Sequence, residues 1–221
     1  MSDRIKQSYK QSKNIYDDAL TQEKWWSKLY IKLFWGGVDD KEIARKILEY
    51  IPEDFYGSIL DVPVGTAVFT WQKYQNMKNA DIICLDYSED MLEQAQARFA
   101  KAELFDIKTM QGDVGNLPFA DETFDIVLSM NGFHAFPDKD KAFLETNRVL
   151  KQGGLFISTF YIKGKSKITD WLIHKVFAKK GWFTPPFETE HSLRKRLEKM
   201  YTIKEFHVEG SMVYFLAEKD R

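Results

Sequence analysis

The spacing of apolar and polar positions changes near residue 57. Over residues 41–51, apolar side chains recur three or four positions apart among charged ones, which predicts an amphipathic helix that ends before Pro52. From Gly57 onward, short apolar runs alternate with amphipathic stretches, a pattern typical of βαβ units and a parallel sheet. We therefore predict an α/β protein with an N-terminal helical cap (1–55) and a doubly wound domain (56–221).

Seven apolar runs in this second part predict seven strands. Five of them are expected to be parallel and cover residues 58–62, 81–86, 107–111, 124–129 and 154–160. Two more, 203–208 and 212–217, flank the turn sequence Glu209-Gly210-Ser211 and predict an antiparallel hairpin. Helices are expected at about residues 68–78, 88–102 and 138–150. The expected architecture is a mostly parallel, seven-stranded, Rossmann-like sheet that ends in an antiparallel C-terminal hairpin.

Two segments fall outside this repeat. The cap is rich in aromatic residues, namely Tyr9, Tyr16, Trp25, Trp26, Tyr30, Phe34 and Trp35. Residues 161–200 contain scattered glycines, a Pro185-Pro186 pair and two helical stretches, around 168–177 and 191–200. We interpret this second segment as a helical lid inserted before the hairpin.

Composition and charge narrow the classes of function. Hydrophobic residues make up 44% of the chain and the net charge is −1, so we expect a globular protein without the basic field that gathers nucleic acid. Cys84 is the only cysteine, which excludes an intrachain disulfide and a multi-cysteine zinc site. No apolar stretch reaches the ~18 residues of a membrane span. We expect a cytoplasmic protein without a metal, either a monomer or a homodimer.

The first candidate site is the turn after the first predicted strand, Asp61-Val62-Pro63-Val64-Gly65-Thr66-Ala67. A strand-turn-helix unit of this kind brings backbone N–H groups to the carboxyl edge of the sheet, where an anionic or polar ligand group can bind. A single glycine in a βα turn is common, so a purely structural turn stays open as an alternative.

Two further acids follow the next two strands. Asp86 ends the second strand, where a carboxylate can accept the two hydroxyls of a ribose; alternatively it only caps the next helix. Asp113 follows the third strand within Gly112-Asp113-Val114, where its side chain can accept the exocyclic amine of an adenine. The three acids together favour an adenosine-binding edge.

Five motifs occur in a fixed order, LDVPVGTA, LDYS, GDVGNLPF, FDIVLSMNGFH and RVLKQGG. In that order and spacing the chain resembles the class I S-adenosylmethionine (SAM)-dependent methyltransferases, specifically the small-molecule enzymes related to ubiquinone and menaquinone methyltransferases. The resemblance is close over about residues 57–160 and loose over the final hairpin. The family has three alternating glycines after the first acid, whereas here Pro63 and Ala67 replace the first and the third.

The resemblance implies SAM as cofactor and S-adenosylhomocysteine as product. The residues expected to bind the cofactor are Asp61, Pro63, Gly65, Thr66, Ala67, Asp86, Tyr87, Met91, Gly112, Asp113, Val114, Met130 and Asn131. By this resemblance the first motif surrounds the methionine part, and the second motif with Met91 holds ribose and adenine. The third motif reads the adenine edge, and Met130 and Asn131 lie below the sulfonium.

The expected activity is methyl transfer to a small, hydrophobic or aromatic molecule. The methyl group of a sulfonium is already activated, so such an enzyme mainly supplies orientation and a pocket without water. His134 is the candidate general base, although a packing histidine explains the same position. The apolar residues of the lid favour a hydrophobic acceptor, and they equally fit a lid that only packs. They are Trp171, Leu172, Val176, Phe177, Trp182, Phe183 and Phe187.

Two other functions stay open at this point. A nicotinamide-dependent Rossmann oxidoreductase shares the first turn and the acid after the second strand, but Pro63 and Ala67 make that turn a poor site for a diphosphate. A non-catalytic SAM-binding module is compatible with the altered glycines. Nucleic-acid methylation is disfavoured because Ser129-Met130-Asn131-Gly132 stands where the amino-methylating enzymes carry Asn-Pro-Pro-aromatic.

Overall fold

The computed structural model describes residues 38–220, which fold around one seven-stranded sheet. The strands are β1 (Gly57–Asp61), β2 (Ala80–Asp86), β3 (Lys108–Gln111), β4 (Phe124–Met130), β5 (Leu150–Tyr161), β6 (Tyr201–Glu209) and β7 (Met212–Lys219). Their order is β3-β2-β1-β4-β5-β7-β6. The first five strands pair in parallel, whereas β7 is antiparallel to both β5 and β6. The predicted fold class and the closing hairpin are confirmed.

The position of each strand follows from its side chains. Strands β1 and β4 lie in the middle of the sheet, and residues such as Leu60 and Val127 are fully buried there. Central parallel strands are covered on both faces and therefore consist of continuous apolar runs. Strands β3 and β6 form the two edges and carry exposed polar residues such as Lys108 and Glu205, as edge strands usually do.

The helices cover both faces of this sheet. They are α1 (Asp40–Leu48), α2 (Trp71–Gln75), α3 (Glu89–Lys101), α4 (Lys139–Val149), α5 (Lys167–Leu172), α6 (Ala178–Lys180) and α7 (Glu190–Leu197). A π-helical turn, Ile173–Phe177, joins α5 to α6. Helices α3, α4 and α7 begin at side-chain caps, Ser88, Asp138 and Thr189, whose oxygens accept backbone N–H groups of the first turn.

One predicted helix is much shorter than expected. The pattern indicated a helix over residues 68–78, but α2 covers only Trp71–Gln75. Ala67 adopts a left-handed φ of 57°, which cannot continue into a right-handed helix, and the chain makes a turn before Trp71. The β1–α2 loop is therefore longer than the predicted strand-turn-helix unit.

The apolar core is split by the sheet into two clusters. One cluster joins α1, α3 and the π-helical turn to the sheet and includes Ile43, Ile47, Phe99 and Ile173. The other lies under α4 and α7 and is dominated by phenylalanine rings, with Phe133 and Phe143 centroids 4.2 Å apart. Both faces are thus closed, and the carboxyl edge of the sheet carries the loops.

The two additional segments predicted from the sequence are described to different extents. Residues 1–37, with the aromatic cluster of the expected cap, lie outside the described residues, and the rest of the predicted cap contains α1. The insert 161–200 consists of the end of β5, α5, the π-helical turn, α6 and α7. Within residues 38–220, no helix has the length and apolar character needed to cross a membrane.

Candidate functional site

The site lies where the strand order reverses direction. The chain runs from β1 outward through β2 to β3 and then returns to the other side of β1 with β4. Loops after β1 and β4 therefore diverge and leave a crevice at the carboxyl ends of the strands, the usual ligand position in open α/β sheets. Asp61, Asp86 and Met130 are the last residues of β1, β2 and β4, so the sheet brings the predicted motifs together.

Asp86 is the most constrained carboxylate at this edge. Its side chain is 4% exposed, and its two oxygens accept the backbone N–H groups of Gly65 and Ser88, both at 2.8 Å. Burial raises the pKa of Asp86 to about 6, while these backbone donors act in the opposite direction. With this pKa the carboxyl is mostly ionised at pH 7.5, and each oxygen keeps acceptor capacity for a further donor.

Asp61 is held inside the β1–α2 loop. Its Oδ2 accepts the hydroxyl of Tyr74 at 2.8 Å, and burial raises the pKa of Asp61 to about 7. The side chain is 1% exposed, so it orders the loop from within. This geometry favours a role for Asp61 in ordering the loop.

The rest of the loop contains both departures from the family pattern. Gly65 and Ala67 have left-handed φ values of 56° and 57°. Pro63 packs against Gly132, where a Cβ would lie only 2.3 Å from Pro63 Cδ. Thr66 is buried, and its Oγ1 has no hydrogen-bond partner among the described residues. The loop thus presents a buried hydroxyl without a partner at the sheet edge.

The loop after β3 is tied to the tip of β2. The N–H of Gly112 donates to the carbonyl of Asp86 at 3.0 Å, and a Cβ on Gly112 would lie 2.8 Å from Leu85 Cδ1. Asp113 Oδ1 accepts the N–H of Gly115 at 2.9 Å, and Val114 is buried. These contacts fix the positions of the residues expected to read an adenine edge.

A narrow cleft of about 30 Å³ lies between these loops and the loop after β4. Among the predicted binding residues it is lined by Pro63, Asp86, Tyr87, Gly112, Asp113 and Val114. The cleft thus joins parts of the first three motifs.

The other predicted binding residues are not part of the lining of this cleft. They are Asp61, Gly65, Thr66, Ala67, Met91, Met130 and Asn131. Met91 is 4% exposed, and its N–H is capped by Ser88 Oγ. Asn131 has a left-handed φ of 56°, its N–H donates to the carbonyl of Thr159, and its buried Oδ1 has no partner within residues 38–220.

Residues that the sequence did not single out complete the cleft. They are Ala135, Phe136 and Pro137 from the loop between β4 and α4, together with Val62 and Leu85. Of these, only Pro137, directly before the Asp138 cap of α4, carries a recognisable loop signal.

His134 is surrounded in a way that favours packing over proton transfer. Its ring is 2% exposed and stacks on Phe183 with centroids 4.2 Å apart. Its Nδ1 accepts the N–H of Tyr161 at 3.3 Å. Burial, with a smaller contribution from Lys139, lowers the pKa of His134 to about 3. A base this weak is a poor proton acceptor near neutral pH, so it would contribute little as a general base.

Within residues 38–220, no group of three or more His, Cys, Asp or Glu side chains is arranged to hold a metal ion. The polar groups at the crevice are a buried carboxylate (Asp86), a second acid (Asp113), backbone amides, and the Thr66 and Asn131 side chains, which have buried oxygens without partners within residues 38–220. These groups suit a neutral ribose and an adenine ring better than they suit a diphosphate. A diphosphate needs a glycine-rich turn with free backbone N–H groups. The residues present therefore fit the adenosyl part of SAM.

Comparison with known proteins agrees with this geometry. Residues 59–154 match the family model described as a methyltransferase domain. An uncharacterized chloroplastic methyltransferase of Arabidopsis thaliana is 32% identical over 155 residues, which cover 68% of this chain and 43% of that protein. A demethylmenaquinone methyltransferase of Desulfitobacterium hafniense is 33% identical over 121 residues, or 54% of this chain and 48% of that enzyme. The matched regions therefore span less than half the length of these relatives.

Solved structures share the fold at low identity. A putative methyltransferase from Bacillus halodurans superposes with a TM-score of 0.69 at 18% identity, covering 81% of this chain and 100% of that one. A SAM-dependent methyltransferase from Aquifex aeolicus gives 0.63 at 16% identity, covering 86% and 92%. Residues 59–154 are thus a methyltransferase domain on the fold of the class I methyltransferases, which supports SAM as the cofactor.

Proposed function

We propose that this chain transfers the methyl group of SAM to a small, hydrophobic or aromatic molecule. The observation that carries the proposal is the Asp86 carboxylate, which is buried beside the cleft at the point where the strand order reverses. Backbone donors on both of its oxygens fix its orientation and leave acceptor sites for two further hydroxyls.

The residues of the crevice have separate tasks in this proposal. Asp86 accepts the ribose hydroxyls, and Asp113 with Val114 contacts the adenine edge. Tyr87 lines the same cleft, and its carbonyl accepts the Gln111 side-chain amide at 3.1 Å, which fixes the backbone there. Met91 supports this loop from the first turn of α3, where it is buried.

The methionine part is assigned to the β1–α2 loop and the tip of β4. Thr66 Oγ1 and Asn131 Oδ1 are buried without partners among residues 38–220, and a bound ligand amine or hydroxyl would satisfy them. Asp61 keeps the loop in place through Tyr74. Gly65, Ala67 and Met130 supply the surrounding backbone and apolar surface.

When bound, SAM supplies a methyl group that is already activated for in-line displacement. The protein contributes orientation and exclusion of water, which account for much of the barrier reduction in such reactions. We assign no general base, because His134 is packed between Phe183 and the backbone of Tyr161. The proposed acceptor is therefore one whose nucleophile needs little help in losing a proton.

The class of acceptor is inferred from the insert and from the relatives. Phe183 and Phe187 are buried in the insert next to Tyr161, and the buried Phe177 ring contacts Phe183. Trp171, in contrast, is 59% exposed on α5. Several of the relatives are named demethylmenaquinone methyltransferase. Both observations support a hydrophobic, aromatic acceptor such as a quinol. The proposed cytoplasmic location and monomeric or homodimeric state rest on the sequence, and the plant relative is named chloroplastic.

Calorimetry followed by an activity assay tests this proposal. The chain is titrated with S-adenosylhomocysteine and, separately, with NAD⁺, and labelled SAM is then offered with a quinol, a catechol and an aliphatic alcohol. Binding of S-adenosylhomocysteine with label transfer to an aromatic acceptor is the expected result. Binding of NAD⁺ alone would favour an oxidoreductase, and S-adenosylhomocysteine binding without transfer to any acceptor would favour a non-catalytic module.

A further inference from the structure

The insert is attached to the loop after β4 through consecutive backbone carbonyls. The N–H of Thr184 donates to the carbonyl of His134, and its Oγ1 donates to the carbonyl of Ala135, both at 2.9 Å. Lys139 Nζ donates to the carbonyl of Phe136 at 3.1 Å and also to the carbonyl of Thr184. The carbonyls of residues 134, 135 and 136 are therefore all held by Thr184 or Lys139.

The same loop also lines the cleft. Ala135, Phe136 and Pro137 are part of the cleft wall, as are Pro63 and Asp86. The loop thus lies between the insert and the proposed adenosyl site. Because protein interiors are close-packed, a shift of the insert changes the position of this wall.

The Lys139 ammonium is buried and bridges two segments of the chain. It is 7% exposed, and its burial lowers its pKa to about 8. Burying a charged amine is unfavourable unless it is hydrogen-bonded, and here it bonds carbonyls from two separate segments of the chain. Glu188 and Asp140 act on it with favourable charge, and Arg196 opposes them.

His134 belongs to this connection as well. Its ring stacks on Phe183, the neighbour of Thr184 in the insert, and its own carbonyl accepts the Thr184 N–H. The aromatic stack and the hydrogen bonds act on the same stretch of loop. This arrangement gives His134 a role that needs no titration.

We propose that Thr184 and Lys139 are positioning residues that couple the insert to the cofactor cleft, so that the seating of the insert sets the affinity for the adenosyl group. The inference rests on the proposed function, because it takes the cleft as the adenosyl site. By reciprocity of binding free energies, an acceptor that orders the insert also tightens cofactor binding.

Substitution of Thr184 tests whether its contacts set the affinity for the cofactor or only stabilise the fold. Thr184→Val keeps the shape and the backbone bonds but removes the hydroxyl that holds the Ala135 carbonyl. We expect S-adenosylhomocysteine to bind the full chain about five to ten times more weakly, as measured by calorimetry. Thr184→Ser restores the hydroxyl and is expected to bind within about twofold of the parent chain. Lys139→Met, which releases two carbonyls, is expected to weaken binding at least as much as Thr184→Val.

Thr189→Val provides the matched control. Its hydroxyl accepts the N–H of Ser192 at 3.1 Å at the start of α7, in the same insert but away from the loop after β4. Loss of this cap lowers Tm by about 2 to 4 °C, whereas the affinity for S-adenosylhomocysteine is expected to stay within about twofold.

Each outcome bears on a different part of the reasoning. Equal affinity of Thr184→Val and the parent chain, or equal weakening by Thr189→Val, would overturn the coupling. If Thr184→Val does not fold, the decision passes to Lys139→Met, and unchanged affinity in that variant overturns the proposal. Failure of the parent chain to bind S-adenosylhomocysteine would refute the proposed function instead.

Discussion

Replacement of Asp86 by asparagine changes the cofactor site with almost no change in shape. The carboxylate accepts the N–H groups of Gly65 and Ser88 at 2.8 Å and, having about four lone-pair sites, can accept two more donors. An asparagine has a single acceptor oxygen, and its NH₂ group faces one of those two backbone donors. The substitution therefore removes the acceptor sites proposed for one ribose hydroxyl and weakens the contact with the other.

The expected loss of affinity can be worked out from these contacts. A hydrogen bond to a charged group contributes about 1.5 to 3 kcal/mol, and a neutral bond contributes about half as much. Losing one charge-assisted bond and neutralising the other amounts to about 2 to 4.5 kcal/mol. That is roughly a 30- to 2,000-fold weaker Kd for S-adenosylhomocysteine at pH 7.5.

The stability of the fold is expected to change much less than the affinity. Burial raises the pKa of Asp86 from 3.8 to about 6, so removing the charge gains about 3 kcal/mol near neutral pH. Leaving one of the two backbone N–H groups without its acceptor costs about 1 to 3 kcal/mol. The two contributions largely cancel.

Calorimetry with S-adenosylhomocysteine and thermal unfolding of the same samples measure both quantities. Asp125→Asn is the control, since Asp125 also accepts a backbone N–H, from Ser58 at 2.9 Å, but lies at the start of β4, away from the cleft. It is expected to leave the affinity unchanged. An Asp86→Asn chain that folds and binds as tightly as the parent would refute the assignment of Asp86 to the ribose.

Three further predictions concern the loops and the pH dependence. Ala67→Gly relieves a left-handed φ, so the free energy of unfolding in urea should stay unchanged or rise by up to about 1 kcal/mol. Gly65→Ala introduces the same strain and should lower the free energy of unfolding by about 1 to 2 kcal/mol. A stabilising effect of Gly65→Ala would contradict this reasoning. Gly132→Ala places a Cβ 2.3 Å from Pro63 Cδ and should destabilise by about 1 to 3 kcal/mol; unchanged Tm would show that this contact yields easily. The pKa of Asp61 is raised from 3.8 to about 7, so the folded state holds this proton over a range in which the unfolded chain has lost it. The free energy of unfolding should therefore fall by on the order of 4 kcal/mol as pH rises from about 4 to 7, a slope that Asp61→Asn should flatten.

The sequence predicted the fold well because the fold depends on local patterns. Apolar runs such as Phe124–Met130 are long enough to be buried on both faces, and the acids at their ends follow directly from the strand boundaries. Asp86 was identified in this way, since its position needs only the end of β2 and the order of the sheet. The closing hairpin was equally visible, because its turn residues separate two alternating strands.

The errors and omissions arise where distant segments meet. The prediction of a helix over 68–78 was too long because nothing in the local pattern shows the left-handed φ of Ala67. The contacts of Thr184 with the carbonyls of His134 and Ala135 join segments without periodicity, so no spacing rule points to them. Phe136 likewise lines the cleft from a loop whose carbonyls contact Lys139 and Thr184.

The two departures from the family glycines are explained by their neighbours. The first glycine position is occupied by Pro63, which has no N–H, and its ring fits because Gly132 across the crevice has no Cβ. The third is occupied by Ala67, which keeps the left-handed φ that a glycine would adopt, with a cost of about 1 to 2 kcal/mol. At Gly65, by contrast, a Cβ would contact nothing within 4 Å, so its φ of 56° alone favours glycine there. Its N–H is also the donor that orients Asp86. Glycine thus stands at the position whose backbone geometry requires it and whose N–H orients the carboxylate proposed to bind the ribose, whereas the two departures occur where a neighbour or modest strain accommodates them.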